Sequence, residues 1–348
     1  MLHVLSSSLH HEDLQLPFEI DEQWAKENQV VAVLTGGSEE KFLQLVKDGK
    51  ISLDRTIYLI ATQQSNSLAA SMEILSWINN NGGHGEIVSA PQGQPQRGTR
   101  LGVIGKPSDW LIASAVDYET AKKVFGAELI DIPIERVKDL GEVDGGKEGA
   151  LKIYKRVKEI VDEYKLDGVT LRCFDLLTTV KNTGCLALSM LNDEGIPAAC
   201  ESDIPTLLTL MVIKRVTGLP GFQVNPARID DKKGEMLFAH CTLPLKMCES
   251  HSYTTHFESG IGVAIHGELP LGDYTLVKIS GDGKRVFAED VQLLRNQYEP
   301  NLCRTQVWIS ISEEGRKYFL SNPIANHHVL VRGHHAKAII DEVRDNRL

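Results

Sequence analysis

A change in hydrophobic patterning near residue 221 constrains the fold of this chain more than any other feature. Before it, short continuous apolar runs alternate with segments whose apolar residues recur every three or four positions. Buried parallel strands and the helices that cover them produce this alternation. After it, β-rich runs are separated by Gly, Asp and Pro turns, which is typical of an antiparallel barrel or sandwich. The sequence predicts two α/β domains followed by a β-barrel-like domain.

The pattern also predicts the order of the elements. The predicted α/β strands are 30–34, 56–61, 85–90, 100–105, 128–133, 167–173 and 196–200. The predicted helices are 38–49, 65–83, 118–126, 147–165, 180–195 and 204–218. The predicted β-rich runs are 234–243, 260–269, 273–280, 285–294 and 304–311, and a strand and a short helix follow in 325–346.

The Pro-, Gly- and Gln-rich segment "APQGQPQRG" (90–98) has the composition of a linker. With the change near residue 221, it divides the 348 residues into three expected domains. These are an N-terminal α/β domain (1–97), a middle α/β domain (98–221) and a C-terminal β-barrel domain (222–348).

Composition narrows the class of protein. The net charge is −10 without a long run of one sign, which argues against a nucleic-acid surface. No stretch approaches the ~20 apolar residues of a membrane-spanning helix, and the N-terminus does not resemble a secretory signal, so we expect a cytoplasmic protein without a membrane partner. The six cysteines form no CxxC pair, which favours reduced structural thiols over redox or zinc chemistry.

A glycine turn in "VLTGGSEEK" (33–41) joins a predicted strand to a predicted helix. Backbone amides of such a turn can bind phosphate. The segment nevertheless matches neither GxGxxG nor GxxxxGK[ST], so a nucleotide-dependent oxidoreductase is disfavoured. A tight turn between strand and helix is the simpler interpretation.

Two carboxylates follow the predicted strand in "IPAACESDIPTL" (196–207). Glu201 lies one residue beyond the strand, where open α/β sheets bind ligands. Asp203 lies at the N-cap of the next helix, before Pro205 in the first turn, and capping explains it without chemistry. Glu201 is therefore the stronger candidate for a functional site.

Histidines in the β-rich part strengthen that candidate. His240 lies inside the apolar run "LFAHCTL", and His327 lies in "IANHHVLV". A single histidine in a strand is usually structural. Several histidines together with a carboxylate at a strand end suggest a divalent metal with mixed oxygen and nitrogen ligands, such as Mn, Fe or Zn.

From about Asp167 onward the chain resembles the L-fucose isomerase and L-arabinose isomerase superfamily. The resemblance lies in "ACESDIPTLLTLMVIKRVTG", "LFAHCTLPL" and "IANHHVLVRGH", in this order. It implies a homo-oligomeric, metal-dependent aldose–ketose isomerase, a trimer or a hexamer, with two α/β domains and a C-terminal barrel. It implies Mn²⁺ as the metal, a sugar as the substrate, and proton transfer through a cis-enediol. Carried over by position, Glu201, His240 and His327 bind the metal, Asn326 contacts the sugar, and Asp203 is a further candidate for a polar contact with it. Glu201 is also the candidate base for the proton transfer.

One position departs from the family. The family has a second acidic ligand about two dozen residues after the glutamate, and this chain has Asn225 there. An amide oxygen can bind a metal but cannot accept a proton as a carboxylate does. Asn225 is thus expected as a weak fourth ligand at a catalytic position, and Asp230 and Asp231 are less favoured substitutes.

Two alternatives to an active isomerase follow from this departure. One is a non-catalytic or redirected sugar-binding member of the family, and the other is a lyase or epimerase that uses enediolate chemistry.

Overall fold

The computed structural model describes residues 2–6, 22–61, 66–89 and 99–345. The chain forms two compact units, Met1–Arg97 and Gly98–Leu348. The predicted linker 90–98 lies outside the described residues. Within the described ranges, no helix has both the length and the apolar character needed to cross a membrane.

The first unit contains a parallel sheet with the strand order β1-β2-β3-β4. Its elements are β1 (Leu2–Leu5), α1 (Glu22–Glu27), β2 (Gln29–Val33), α2 (Glu39–Lys47), β3 (Ile57–Ala61), α3 (Ser67–Asn80) and β4 (Gly85–Ser89). Every residue of β2 is buried, as expected for a strand covered on both faces. In the glycine turn before α2, the hydroxyl of Ser38 donates to the carbonyl of Thr35 at 2.8 Å, so the turn has its own internal hydrogen bond.

The second unit begins with another parallel sheet, with the strand order β6-β5-β7-β8. Its elements are β5 (Thr99–Ile104), α4 (Tyr118–Phe125), β6 (Ala127–Ile132), α5 (Glu135–Lys138), α6 (Lys147–Tyr164), β7 (Gly168–Leu171), α7 (Phe174–Thr179), α8 (Cys185–Asp193), β8 (Ala198–Cys200) and α9 (Ile204–Thr217). Both α/β parts of the predicted fold are thereby confirmed.

The helix predicted over 180–195 was wrong at its start. It begins only at Cys185, and the separate helix α7 precedes it. The intervening turn includes Lys181 with a positive φ of 60°. The side chain of Asn182 holds this turn, because its amide donates to the carbonyls of Asp144 and Gly146.

The rest of the second unit contains a closed antiparallel barrel with the strand order β10-β15-β14-β13-β16-β9. The structure thereby decides between the barrel and the sandwich in favour of the barrel. The elements are β9 (Phe222–Asp230), β10 (Glu235–His240), β11 (Ser250–Thr254), β12 (Ala264–Glu268), β13 (Gly272–Ile279), β14 (Val286–Gln297), β15 (Thr305–Ser310), α10 (Glu313–Ser321), β16 (His328–Arg332) and α11 (Ala336–Asp345). Strands β11 and β12 form a separate hairpin.

Helix α9 lies between the second parallel sheet and the barrel, in contact with β8, β13 and β16. Its apolar residues Leu207 and Ile213 share a buried cluster with Val277 and Val329 of the barrel. Burial on several sides explains why the helix is apolar around most of its circumference. Helix α9 is consequently held against β16, the barrel strand that directly follows His327.

Candidate metal centre and cavity

The turn after β8 positions Glu201. Glu201 and Ser202 both have left-handed backbone conformations, with φ of 63° and 49°. Non-glycine residues avoid this region, at a cost of about 1–3 kcal/mol each, and those that adopt it cluster at functional sites. The hydroxyl of Ser108 donates to the carbonyl of Glu201, and the backbone N–H of Ser202 donates to the carbonyl of Leu171. These bonds hold the turn.

Three of the predicted site residues come together. One donor atom from each of Glu201, His240 and His327 lies within 4.8 Å of the others. His327 precedes β16, His240 ends β10, and their ring centroids lie 5.6 Å apart. Strand β8, the barrel and the segment before β16 therefore converge on one point.

Hydrogen bonds orient both histidines. The Nδ1 atom of His240 lies 2.8 Å from the hydroxyl of Thr242. The Nδ1 atom of His327 lies 2.8 Å from Oδ2 of Asp203. Nδ1 of each ring is thus engaged, which leaves Nε2 as the atom that would bind a metal.

Asp203 lies behind His327 and has no exposed side-chain surface. Its Oδ1 accepts from the backbone N–H of Thr206, so it caps α9 as the sequence predicted. Its Oδ2 lies 3.7 Å from Nζ of Lys278, which is also fully buried. Thr206, His327 and Lys278 thus surround the carboxylate of Asp203, which does not line the cavity.

Glu201 faces the other side of His327. Its Oε1 lies 3.4 Å from Nε2 of His327, and its Oε2 accepts from Nε1 of Trp110 at 2.9 Å. Arg172 lies over the ring of Trp110, 4.8 Å from its centroid. An indole held in this way restricts the glutamate to few orientations.

Burial and the two carboxylates set the charge states at this centre. Burial lowers the pKa of His327, but Asp203 and Glu201 outweigh it and raise the pKa to about 9. Burial, followed by the charge on His327, lowers the pKa of His240 to about 4. Burial raises the pKa of Glu201, but His327 and Trp110 outweigh it, so the net pKa is lowered. In the metal-free protein the centre therefore holds a protonated and a neutral imidazole beside an ionised carboxylate.

The donor atoms fit a divalent ion. Nε2 of His327 and Oδ1 of Asn225 are buried, and neither has a hydrogen-bond partner among the described residues. Buried polar atoms seldom lack partners, and a bound ion is one explanation when they do. One carboxylate, two imidazoles and an amide oxygen make a mixed set that suits Mn, Fe or Zn.

A β-bulge lies next to Asn225 in strand β9. Strand β9 pairs with β10 through Arg228 and Leu237, then through Pro226 and Phe238, so one residue of β9 has no counterpart. Pro226 lacks the N–H that a regular ladder needs, and proline within sheets is found at such bulges. Asn225 pairs with Ala239, next to His240.

A cavity of about 690 Å³ adjoins the centre. Glu201, His240, Asn225 and Asn326 line it, whereas His327 lies beneath its surface, fully buried. The volume is within the usual range for small-molecule sites, about 300–1,000 Å³. The predicted sugar-contacting amide of Asn326 is therefore on the wall.

Several wall residues carried no sequence signal. Trp110, His256 and Glu258 lie in loops without a motif. Five of the six cysteines also line the cavity: Cys173, Cys185, Cys200, Cys241 and Cys303. All six are free thiols. Only packing brings these residues to one wall, so the sequence offered no means of finding them.

His328, which follows His327 in the chain, makes hydrogen bonds away from the metal centre. His328 lies 3.0 Å from the hydroxyl of Tyr318 through Nε2, and its Nδ1 lies 2.9 Å from the carbonyl of Asn326. Burial lowers its pKa to about 3. His334, near the C-terminus, pairs with Asp273 on the surface.

No protein-family model matches the chain. Similar curated proteins are named sulfoquinovose isomerase. The protein from Clostridium sp. (strain MSTE9) is 30% identical over 96 residues, which is 27% of this chain and 22% of that protein. The protein from Priestia megaterium is 22% identical over 219 residues, 54% of this chain and 49% of that protein. The protein from Alkalicoccus urumqiensis is 24% identical over 166 residues, 40% and 38% of the two chains.

The matched regions thus span about half or less of the curated relatives. Within these limits, the chain is similar to isomerases that are named for a sugar.

Proposed function

We propose that the protein is a metal-dependent aldose–ketose sugar isomerase of the fucose isomerase type. The observation that carries the proposal is the convergence of Glu201, His240 and His327 within 4.8 Å beside a sugar-sized cavity. The similarity to sulfoquinovose isomerases supports the same class of reaction. We further propose Mn²⁺ as the metal and the three domains 1–97, 98–221 and 222–348 as the working arrangement.

Each residue of the centre has a proposed role. Glu201, His240 and His327 hold the ion, and the amide oxygen of Asn225 is a weaker fourth donor. When bound, a divalent ion polarises the sugar carbonyl and lowers the pKa of the neighbouring hydroxyl. Asn326 contacts the sugar from the wall. Glu201, the carboxylate of the three-donor cluster, takes part in proton transfer.

The charged side chains of the cavity wall indicate which net charge the substrate carries. Glu201 and Glu258 line the cavity, whereas none of the described residues that line it is Lys or Arg. A sulfonate group would therefore meet two carboxylates and no permanent cation of this part of the chain. We propose an uncharged aldose, rather than a sulfonated sugar, as the preferred substrate.

Two experiments test the proposal. Mn²⁺ or Co²⁺ should raise the melting temperature, and Glu201→Ala should abolish the rise, whereas Glu249→Ala at an exposed position outside the cavity should not. Aldoses, including fucose, arabinose and sulfoquinovose, incubated with the metal-loaded protein should yield ketoses. A melting temperature that no divalent ion changes would refute the metal centre.

Asn225 favours a second candidate, a redirected family member that binds a sugar without isomerising it. Metal binding and sugar binding without conversion of any aldose would support this candidate. Formation of an epimer or of cleavage products instead would indicate epimerase or lyase chemistry on the same enediolate.

We also propose that the protein forms a homo-oligomer, either a trimer or a hexamer. Sedimentation velocity measures the number of subunits.

A further inference from the structure

Two carboxylates line the cavity, and only one of them belongs to the metal centre. Glu201 follows β8, while Glu258 lies in the loop 255–263 between β11 and β12. Among the described residues no other Asp or Glu lines the cavity. Isomerisation through an enediol needs a group that takes a proton from carbon, and Asn225 cannot act as one.

We propose that Glu258 is the second carboxylate of this site and the base that moves a proton between C2 and C1 of the sugar. The inference rests on the proposed isomerase function and assigns to Glu258 the chemistry that position 225 lacks. Because Glu258 comes from a different loop, spacing along the chain could not indicate it.

The first end of the loop is fixed by side chains from neighbouring segments. The guanidinium of Arg304 donates from Nε to the carbonyl of Thr255 at 2.7 Å. The ring of His256 packs edge-on against Phe174, with the centroids 5.7 Å apart. Phe174 packs in turn against Trp110, the residue that donates to Glu201. The loop and the glutamate of the metal centre thus share one aromatic support.

The second end of the loop is fixed by the turn before α8. Oδ1 of Asn182 accepts from the N–H of Val263 at 3.1 Å, and the hydroxyl of Thr183 donates to the carbonyl of Val263 at 2.6 Å. Gly262 permits this approach, since a Cβ there would lie 2.8 Å from the backbone nitrogen of Thr183. A loop fixed at both ends presents its middle, which includes Glu258, in a preorganised position.

The two carboxylates differ in the number of hydrogen-bond and ion-pair partners that they have. Both oxygens of Glu201 have partners, His327 and Trp110. The described residues offer no hydrogen bond or ion pair to Glu258, which is exposed. Glu258 is also outside the cluster of three donors that fits the metal. It is therefore free to approach a sugar carbon while Glu201 stays beside the sugar oxygens.

The charges of both carboxylates reach Cys303, another residue of the cavity wall. The pKa of the Cys303 thiol is raised, first by its contact with Cys241 and by burial, and further by the charges of Glu258 and Glu201. Cys303 therefore lies within electrostatic range of both carboxylates. Both carboxylates therefore border the space that a small ligand would occupy.

The proposed proton transfers balance without a further reactant. The carboxylate of Glu258 removes the proton from C2 of the open-chain aldose, the C–H electron pair becomes the C1–C2 double bond, and the π pair of the C1 carbonyl moves to O1, which gives the enediolate. Glu201 transfers the proton of the O2 hydroxyl to O1. Glu258 then returns its proton to C1 as the C2 carbonyl forms, which gives the ketose and restores both carboxylates.

The test compares Glu258→Gln with Glu249→Gln, which removes the same charge from an exposed position outside the cavity. Each Mn²⁺-loaded variant is assayed for isomerisation, for exchange of the sugar C2 proton with D₂O by NMR, and for the Mn²⁺-induced rise in melting temperature. Glu258→Gln should slow isomerisation and exchange together by about 100-fold or more and leave the Mn²⁺-induced rise unchanged. Glu258→Asp should recover part of the rate, and Glu249→Gln should behave like the native protein.

The possible outcomes distinguish a failure of the proposed role of Glu258 from a failure of the proposed isomerase function. Native rates in Glu258→Gln would overturn the role of Glu258 and leave the isomerase proposal standing. Loss of the Mn²⁺-induced rise in Glu258→Gln would assign Glu258 to metal binding or to folding, and would overturn its role as base. A native protein that binds Mn²⁺ but converts no aldose would overturn the isomerase proposal and the inference with it.

Discussion

The imidazole of His327 donates from Nδ1 to Oδ2 of Asp203 at 2.8 Å, and the same carboxylate caps the helix that follows. One buried side chain thus fixes both the start of α9 and the orientation of a proposed metal ligand. Lys278, 3.7 Å away, supplies the charge that offsets the burial of Asp203. Helix packing and the geometry of the centre are therefore linked through Asp203.

Asp203→Asn should separate these two roles. Asparagine caps helices as well as aspartate does, but its neutral amide no longer pairs with His327 and Lys278. We expect Mn²⁺ affinity to fall by about 10–100-fold and stability to fall by about 3–5 kcal/mol, since Lys278 is left buried without its partner. Isothermal titration with Mn²⁺ and urea denaturation measure the two effects.

Asp117→Asn is the matched control. Asp117 caps α4 by accepting from Thr120 N at 2.9 Å, the same distance as from Asp203 to Thr206 N, but it is exposed. The control should leave Mn²⁺ affinity unchanged. Equal affinities in both variants would show that Asp203 does not orient the metal ligand.

His327 should make both stability and metal binding depend on pH. Its pKa is raised from 6.5 to about 9 in the folded, metal-free protein. Its contribution to stability is therefore complete below pH 6.5 and is lost as the pH rises through about 9. A metal requires the neutral imidazole, so Mn²⁺ affinity should rise about tenfold per pH unit across this window, with release of about one proton.

Titration calorimetry in buffers of different ionisation enthalpy counts the released proton. His240 should add little to it, because burial and the charge on His327 lower its pKa to about 4. A Mn²⁺ affinity that does not change between pH 6.5 and 9 would contradict the assignment of His327 as a ligand.

Asn225→Asp should restore the acid that the resemblance implies. Oδ1 of Asn225 is buried without a partner, and a carboxylate there would attract a divalent ion more strongly. We expect Mn²⁺ to bind at least about tenfold more tightly, or ~1.4 kcal/mol. Asn326→Asp adds the same charge elsewhere on the wall and should have a smaller effect. Equal affinity of Asn225→Asp and the native protein would show that position 225 is not a ligand.

Gly262 should be required for the position of the loop that carries Glu258. Gly262 and Gly260 both have φ of 68°, but only at Gly262 would a Cβ meet neighbouring atoms, the closest at 2.7 Å. Gly260→Ala should therefore cost only the backbone strain, about 1 kcal/mol, and Gly262→Ala about 2–4 kcal/mol. Chemical denaturation compares the two variants, and equal losses would contradict a tight approach to Thr183.

The charge of the cavity predicts discrimination between sugars. We expect kcat/KM for the best uncharged aldose to exceed that for sulfoquinovose at least about tenfold, ~1.4 kcal/mol, because Glu201 and Glu258 repel a sulfonate. Parallel assays with both kinds of sugar measure the ratio. A clear preference for sulfoquinovose would require a cation from outside the described wall.

The elements that could be read from the sequence are those with strong local signals. The apolar runs predicted β2, β7 and β8 because strands buried on both faces carry few polar residues. The cap at Asp203 and the glycine at 218 bounded α9. Strand β9 received no prediction from its pattern because Asn225 and Pro226 interrupt it, and the bulge they occupy is formed only by pairing with β10.

Some features of the candidate site could likewise be predicted from the sequence, and others could not. The sequence by itself determined that a carboxylate follows a strand end and that histidines lie in or directly beside strands of the β-rich part, because these are properties of neighbouring residues. Only the tertiary structure decided that Asp203 orients His327, that Trp110 restricts Glu201, and that Glu258 faces the same cavity. These relationships join residues more than 50 positions apart, and packing of α9 against the barrel, together with the anchored loop 255–263, brings them to one site.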